Sequence, residues 1–339
     1  MTFHTNLHRI SLTQIALSNI INSVCIFTLL VINHQTTYAA EAIYPTKPIR
    51  MLVGFPPGGG ADITARTIAP KLTERFQQQV IIDNRPGASG NIASELTINA
   101  KADGYTILFA TIGPIVVNQS LYTNLKFDPA RDLAPITRAV DSTNILVTHP
   151  SLPVKNVKEL INLSKINSLT CGSSAVGGAG HLANELFNIM ANTKIMNVPY
   201  KGGGPAMVDL VGGQIQMMFA TAASAIPFMN SGRIRSIAVT TIKRASFLPD
   251  VPTVSESGVK GFEANNWYGV LAPLKTPRPI IDKLNKEFVA ILLSPEIKTD
   301  LQKQGLDPTP SSPDEFGAYI HSEVKKWAGV VKTAHIKID

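Results

Sequence analysis

The stretch Ile49-Arg50-Met51-Leu52-Val53-Gly54-Phe55-Pro56-Pro57-Gly58-Gly59-Gly60-Ala61-Asp62 decides the fold. Ile49 to Phe55 reads as a strand buried on both faces, because its apolar residues run nearly without a break. Pro56 to Gly60 form a turn. From Ala61 to Phe76, Ile63, Ile68 and Leu72 recur at helical spacing. A strand therefore hands over to a helix through a glycine-rich turn.

The same alternation extends outward in both directions. Val80 to Ile82 predict a strand, Gly90 to Ala100 a helix, and Thr106 to Ala110 a strand. A second block repeats the theme. Its strands are Ile145–Thr148, Leu169–Gly172, Ile195–Val198, Gln216–Phe219 and Ile234–Thr240. Its helices are Val157–Ser164, His181–Met190, Ala206–Val211 and Ala225–Asn230. The tail from Pro277 is helical over 280–293, 295–304 and 313–331. Alternation of this kind predicts an α/β protein with mainly parallel sheets flanked by helices.

Length and composition narrow the class. The chain has 339 residues, enough for about two domains. Two cysteines exclude a disulfide-dense scaffold or a cysteine-rich zinc module. The formal charge of +7 is spread over a chain in which only 16% of residues are charged, which argues against a nucleic-acid partner. Residues 1 to about 40 differ from the rest. They carry His4, His8 and Arg9 with no acid, then an apolar stretch interrupted by Asn22 and Ser23, then Tyr38-Ala39-Ala40-Glu41-Ala42. This reads as a secretory signal peptide cleaved near Ala39 to Ala42, and the apolar core is too short for a membrane anchor. An exported chain without it keeps one cysteine, Cys171, and so no intramolecular disulfide.

Three glycine-rich turns carry the functional signal. The first is Phe55 to Asp62. The second runs from Cys171 through Ser173, Ser174 and Gly178 to His181. The third is Tyr200-Lys201-Gly202-Gly203-Gly204-Pro205. Glycine lets the backbone approach a ligand, and the helix that follows offers free N–H groups and the positive end of its dipole. A carboxylate is a natural guest for such turns. Ligands of open α/β sheets bind outside the carboxyl ends of the strands, where these turns lie. Catalytic signatures are missing. Gly87-Ala88-Ser89-Gly90 has the wrong spacing for a nucleophile elbow, and there is no Walker motif. The i, i+4 pair His181 and Glu185 lacks further metal ligands. Cys171 reads as a small core residue. No catalytic residue, metal or cofactor is expected.

Short motifs in order through the chain carry a resemblance. They are Tyr44-Pro45-x-Lys47-Pro48-Ile49-Arg50, Phe55-Pro56-Pro57-Gly58-Gly59-Gly60-x-Asp62, Asn84-Arg85-Pro86-Gly87-Ala88-x-Gly90, Asp103-Gly104-Tyr105-Thr106, His181-Leu182-Ala183, Pro199-Tyr200-Lys201-Gly202, Leu248-Pro249-Asp250-Val251-Pro252-Thr253 and Trp267-Tyr268-Gly269. With these motifs the chain resembles the Bug receptors, the substrate-binding proteins of tripartite tricarboxylate transporters. The resemblance implies a two-lobed, type II-like periplasmic binding protein that closes on a small carboxylate. Lobe one is then expected at 43–141 plus 266–339 and lobe two at 142–265. It also implies ligand contacts from Phe55, Gly58, Gly59, Gly60, Asp62 and Thr111 in the first lobe. Ser173, Ser174, Gly178, His181, Ala220 and Thr221 would answer from the second. The implied partners are the large and small transmembrane permease subunits, and the receptor itself is expected as a monomer in the periplasm. One departure stands out: many relatives carry an acid where this chain has Ala220, which favours a plain carboxylate (dicarboxylate or aromatic acid) over an amino acid. Two rival readings are a receptor that signals instead of transporting, and an exported hydrolase or metal enzyme built on His181 and Glu185.

Overall fold

A computed structural model describes residues 44–122, 124–333 and 336. The expected signal segment and its cleavage site lie outside the described residues. Strands β1 (Ile49–Val53), β2 (Val80–Asn84), β3 (Thr106–Thr111) and β4 (Leu133–Ser142) begin one sheet. The second sheet takes β5 (Asn144–Thr148), β6 (Thr170–Ser173), β7 (Met196–Pro199), β8 (Met217–Thr221) and β9 (Arg235–Val239). The chain then returns to the first sheet with β10 (Asn266–Pro273) and β11 (Leu306–Pro308). The sheet orders are β11-β4-β10-β3-β1-β2 and β7-β6-β8-β5-β9.

Helices cover both sheets. They are α1 (Gly60–Phe76), α2 (Asn91–Ile98), α3 (Val157–Ser164), α4 (Ala179–Ala191), α5 (Gly203–Val211), α6 (Ala222–Asn230), α7 (Arg278–Leu292), α8 (Pro295–Lys303) and α9 (Pro313–Thr333), with shorter turns between. Burial explains why β1 reads as an apolar run broken only by Arg50. Met51, Leu52 and Val53 are fully buried, since α1 and α2 both pack against this strand. In the first sheet, Trp267 meets Phe316 of α9 edge-on at 5.5 Å between ring centroids. In the second, Phe187, Phe219 and Phe262 form a triad with centroids 5.9 to 6.1 Å apart. Aromatic clusters of this kind contribute beyond the area they bury. Cys171 sits inside that second core, and burial pushes its thiol up to about 12, as expected of a core residue.

The sheets are mixed, where mainly parallel ones were expected. β1 pairs in parallel with β2 and β3, and β6 with β7 and β8. β10 runs antiparallel to both β3 and β4, β11 antiparallel to β4, and β5 antiparallel to β8 and β9. The reason lies in the connections. A parallel neighbour needs a long crossover, usually a helix. Here β4 passes into β5 through Thr143 alone, and the chain comes back beside it into β10. Asn144 Nδ2 donates to Ala264 O at 3.3 Å, which ties the outgoing and returning segments together. β4 itself was not foreseen, because Pro135, Arg138 and Asp141 interrupt its apolar pattern.

Candidate functional site

The carboxyl ends of β1, β6 and β8 converge with Asn144 and Asn266 on an inner cavity of about 50 Å³. The N-termini of four helices reach its wall: Gly59 and Gly60 before and in α1, Gly178 to Gly180 of α4, Gly203 of α5, and Thr221 with Ser224 of α6. No side chain caps any of these four ends. Among the described residues, no charged side chain lines the cavity. Its polarity comes from backbone N–H groups and from hydroxyl and amide side chains. This arrangement suits an anion held without a cation.

The first turn is held from behind. Gly58 has φ +84°, a left-handed conformation that glycine takes without strain. Its N–H donates to Asp62 Oδ2 at 3.0 Å, while Asp62 Oδ1 accepts from Arg66 Nε and Asn84 Nδ2, both at 2.9 Å. Burial alone would raise the Asp62 pKa. The hydrogen bonds from Arg66, Asn84 and Gly58 outweigh it and keep the carboxyl below its ordinary value. Asp62 and Gly58 thus brace the turn from outside the cavity wall. Gly60 must be glycine for another reason: a Cβ there would stand 2.5 Å from both Thr221 Oγ1 and Tyr268 Oη.

The second turn is braced in the same way. Ser173 is buried and donates to Ala175 O, so it supports the turn and does not line the cavity. Ser174 lines it. Gly177 N donates to His181 Nδ1 at 2.9 Å. Burial pulls the His181 pKa down to about 4, so the ring is neutral, with its proton on Nε2, 3.6 Å from Glu185 Oε1. Glu185 itself is raised by burial. His181 therefore works as a brace behind the turn. Among the described residues, no group of three His, Cys, Asp or Glu is placed to hold a metal.

Of the residues foreseen for the site, Phe55, Gly59, Gly60, Thr111, Ser174, Gly178 and Thr221 line the inner cavity. Gly58, Asp62, Ser173 and His181 stand behind it. Ala220 faces the core with Ile145 and Ala206, because alternate strand residues point to opposite faces, and Thr221 is the one that faces the cavity. Sequence reading missed Asn144, Asn266, Tyr268 and Ser224. Tyr268 belonged to a quoted motif, but nothing in the sequence brings it beside Gly60. Asn144 and Asn266 each keep a buried side-chain oxygen without a hydrogen-bond partner.

The first and third turns also meet. A Cβ on Gly204 would lie 3.2 Å from Pro57 O, so the two loops approach backbone to backbone.

The family described as tripartite tricarboxylate transporter family receptor, TctC, matches residues 64–336. The chain belongs to this receptor family. It is 35% identical over 298 residues to protein BugT of Bordetella pertussis, an alignment covering 87% of this chain and 91% of BugT. Two solved relatives share the two-lobed fold of periplasmic binding proteins. R. palustris Rpa4515, solved with adipate, is 37% identical, with a TM-score of 0.85 over 87% of this chain and 100% of that one. MatC from Rhodopseudomonas palustris, solved with bound malate, is 27% identical, with a TM-score of 0.81 over 85% and 100%. TctC receptors of this kind are solute-binding proteins, a class without catalysis.

Proposed function

We propose that this TctC receptor works in the periplasm, where it captures a small carboxylate between two lobes by hinge closure and delivers it to a tripartite tricarboxylate-type transporter. The observation that carries this reading is the inner cavity, where four uncapped helix N-termini meet with no charged side chain among the described residues. Four dipole ends of one sign favour an anion, and N–H donors match carboxylate oxygens. The carboxylates named for two relatives support the same chemistry.

In this reading lobe one comprises 43–141 and 266–339, and lobe two 142–265. The hinge is the pair of segments around Thr143 and Asn265, and closure brings Pro57 against Gly204. The first 40 residues act as a signal peptide removed near Ala39 to Ala42. The large and small permease subunits receive the ligand from the monomeric receptor. Isothermal titration of the processed chain against a panel of carboxylates tests the core of this proposal. Binding of at least one acid, lost on its conversion to the amide, is the expected result. Failure of every acid together with tight binding of a neutral sugar would sink it.

A further inference from the structure

Beside the inner cavity lies a second, larger chamber of about 690 Å³. Phe55 and Ser174 line both, so the two spaces adjoin. Their sizes differ in a way that constrains the ligand. Pockets for whole small molecules run from about 300 to 1,000 Å³. The inner cavity, at about 50 Å³, is far below that range and accommodates a carboxylate with a short stub of chain. The chamber falls well inside it. The chamber is thus the adjoining space large enough for the bulk of a ligand anchored at the helix ends.

The chamber's surface indicates what that bulk is. One wall is the Pro86-Gly87-Ala88 loop that follows β2, a motif the inner site leaves unused. The lining also includes Ala175, Val176 and Tyr200. These apolar and aromatic surfaces reward contact with carbon, and the hydroxyls of Ser89 and Ser174 supply the polar remainder of the lining. Among the described residues, the one charged side chain lining the chamber is Lys201, which is exposed and forms no ion pair with any of them.

We propose that the ligand is a carboxylic acid with a bulky apolar body, an aryl ring or a medium alkyl chain, bound carboxylate-first with that body in the chamber. This deepens the carboxylate reading and rests on it. Compact, hydroxyl-rich acids leave the apolar walls unfilled and bind less well.

The test is titration of the processed receptor with two sets of probes. Malate and citrate form the compact set; benzoate, phenylacetate and octanoate form the bulky set. At least one bulky acid is expected to bind tenfold or more tightly than either compact acid. Val176→Trp, which narrows the chamber beyond the inner cavity, should weaken that bulky acid at least tenfold and shift any compact acid by less than threefold. Pro86→Trp, at an exposed lining position, is expected to act alike and covers the case in which Val176→Trp does not fold. Tighter binding of malate or citrate than of every bulky acid overturns the inference and leaves the carboxylate reading standing. So does a bulky acid indifferent to both tryptophans. Failure of all five acids overturns both.

Discussion

Gly177 donates its backbone N–H to His181 Nδ1 at 2.9 Å, so a buried neutral imidazole anchors the turn that leads to Gly178 on the cavity wall. His181→Leu deletes the acceptor and leaves that N–H unsatisfied, at a cost of about 1–3 kcal/mol. Ligand affinity should fall roughly tenfold, and His181→Asn, which restores an acceptor, should recover part of it. Titration calorimetry measures both.

The same histidine makes stability depend on pH. Its pKa is about 4 in the folded chain against 6.5 unfolded. The unfolded chain therefore takes up the proton first as pH falls, and stability drops from pH 6.5 down to about 4. The ceiling on this loss is on the order of 3 kcal/mol. Glu185 faces the ring, and its raised pKa opposes the slope, because a carboxyl raised by burial stabilises the fold more as pH falls. Urea unfolding at pH 7 and pH 4.5 should show a smaller difference for His181→Asn than for the native chain. Equal differences would remove His181 as the source.

Asp62 has the opposite sign. Its folded pKa lies below the ordinary carboxylate value, so its contribution is present above that value and is lost as pH falls through the folded pKa. Asp62→Ala removes the acceptor for Gly58, Arg66 and Asn84. Expected outcomes are a loss of about 1–3 kcal/mol in stability and a tenfold or greater loss of carboxylate binding. Chemical denaturation and calorimetry read the two effects separately.

Gly60→Ala places a methyl 2.5 Å from Thr221 Oγ1 and Tyr268 Oη. Thr221 ends β8 of one sheet and Tyr268 lies on β10 of the other, so the methyl props the two apart. Affinity should fall a hundredfold or more while the thermal midpoint moves little. Small-angle scattering with saturating ligand should report a wider particle than the native complex.

Gly269→Ala provides a contrast, because Gly269 does not itself line the cavity. A Cβ there would run into the Phe316 ring, which packs against Trp267. Overpacking of this kind costs about 1–3 kcal/mol. Denaturation should detect it, and carboxylate affinity measured on the folded fraction should stay within about threefold of native.

Much of the fold was legible because its strand-to-helix handovers are local. Ile49–Val53 followed by Gly60–Phe76 needs only an apolar run, a turn and a 3.6-residue period. β4 and β10 were harder. Pro135 and Arg138 break the pattern of one, and Asn266 and Gly269 that of the other, while pairing between them supplies the missing stability. The site divides along the same line. Glycine turns announced Gly59, Gly60 and Gly178, since backbone freedom is written in composition. Tyr268, Asn144 and Asn266 reach the cavity only through tertiary pairing. Asp62 and His181 were recognised as important, but whether a polar side chain faces a ligand or braces a turn depends on neighbours such as Arg66, Asn84 and Gly177, whose proximity no spacing reveals.

The single-residue passage from β4 to β5 has a consequence for how the chain is made. The five-stranded sheet is a continuous insertion, complete once Val239 has emerged. The six-stranded sheet is interrupted: β10 fills the gap between β3 and β4 and pairs residues as distant as Leu271 and Leu108. Non-local pairing of this sort is slow, because loop closure comes before any reward. During synthesis or translocation, β3 and β4 therefore wait with open edges until the strand that joins them arrives. Such edges recruit other chains when left bare. Lesions that delay or weaken β10 should surface first as aggregation during production, ahead of any defect in the finished receptor.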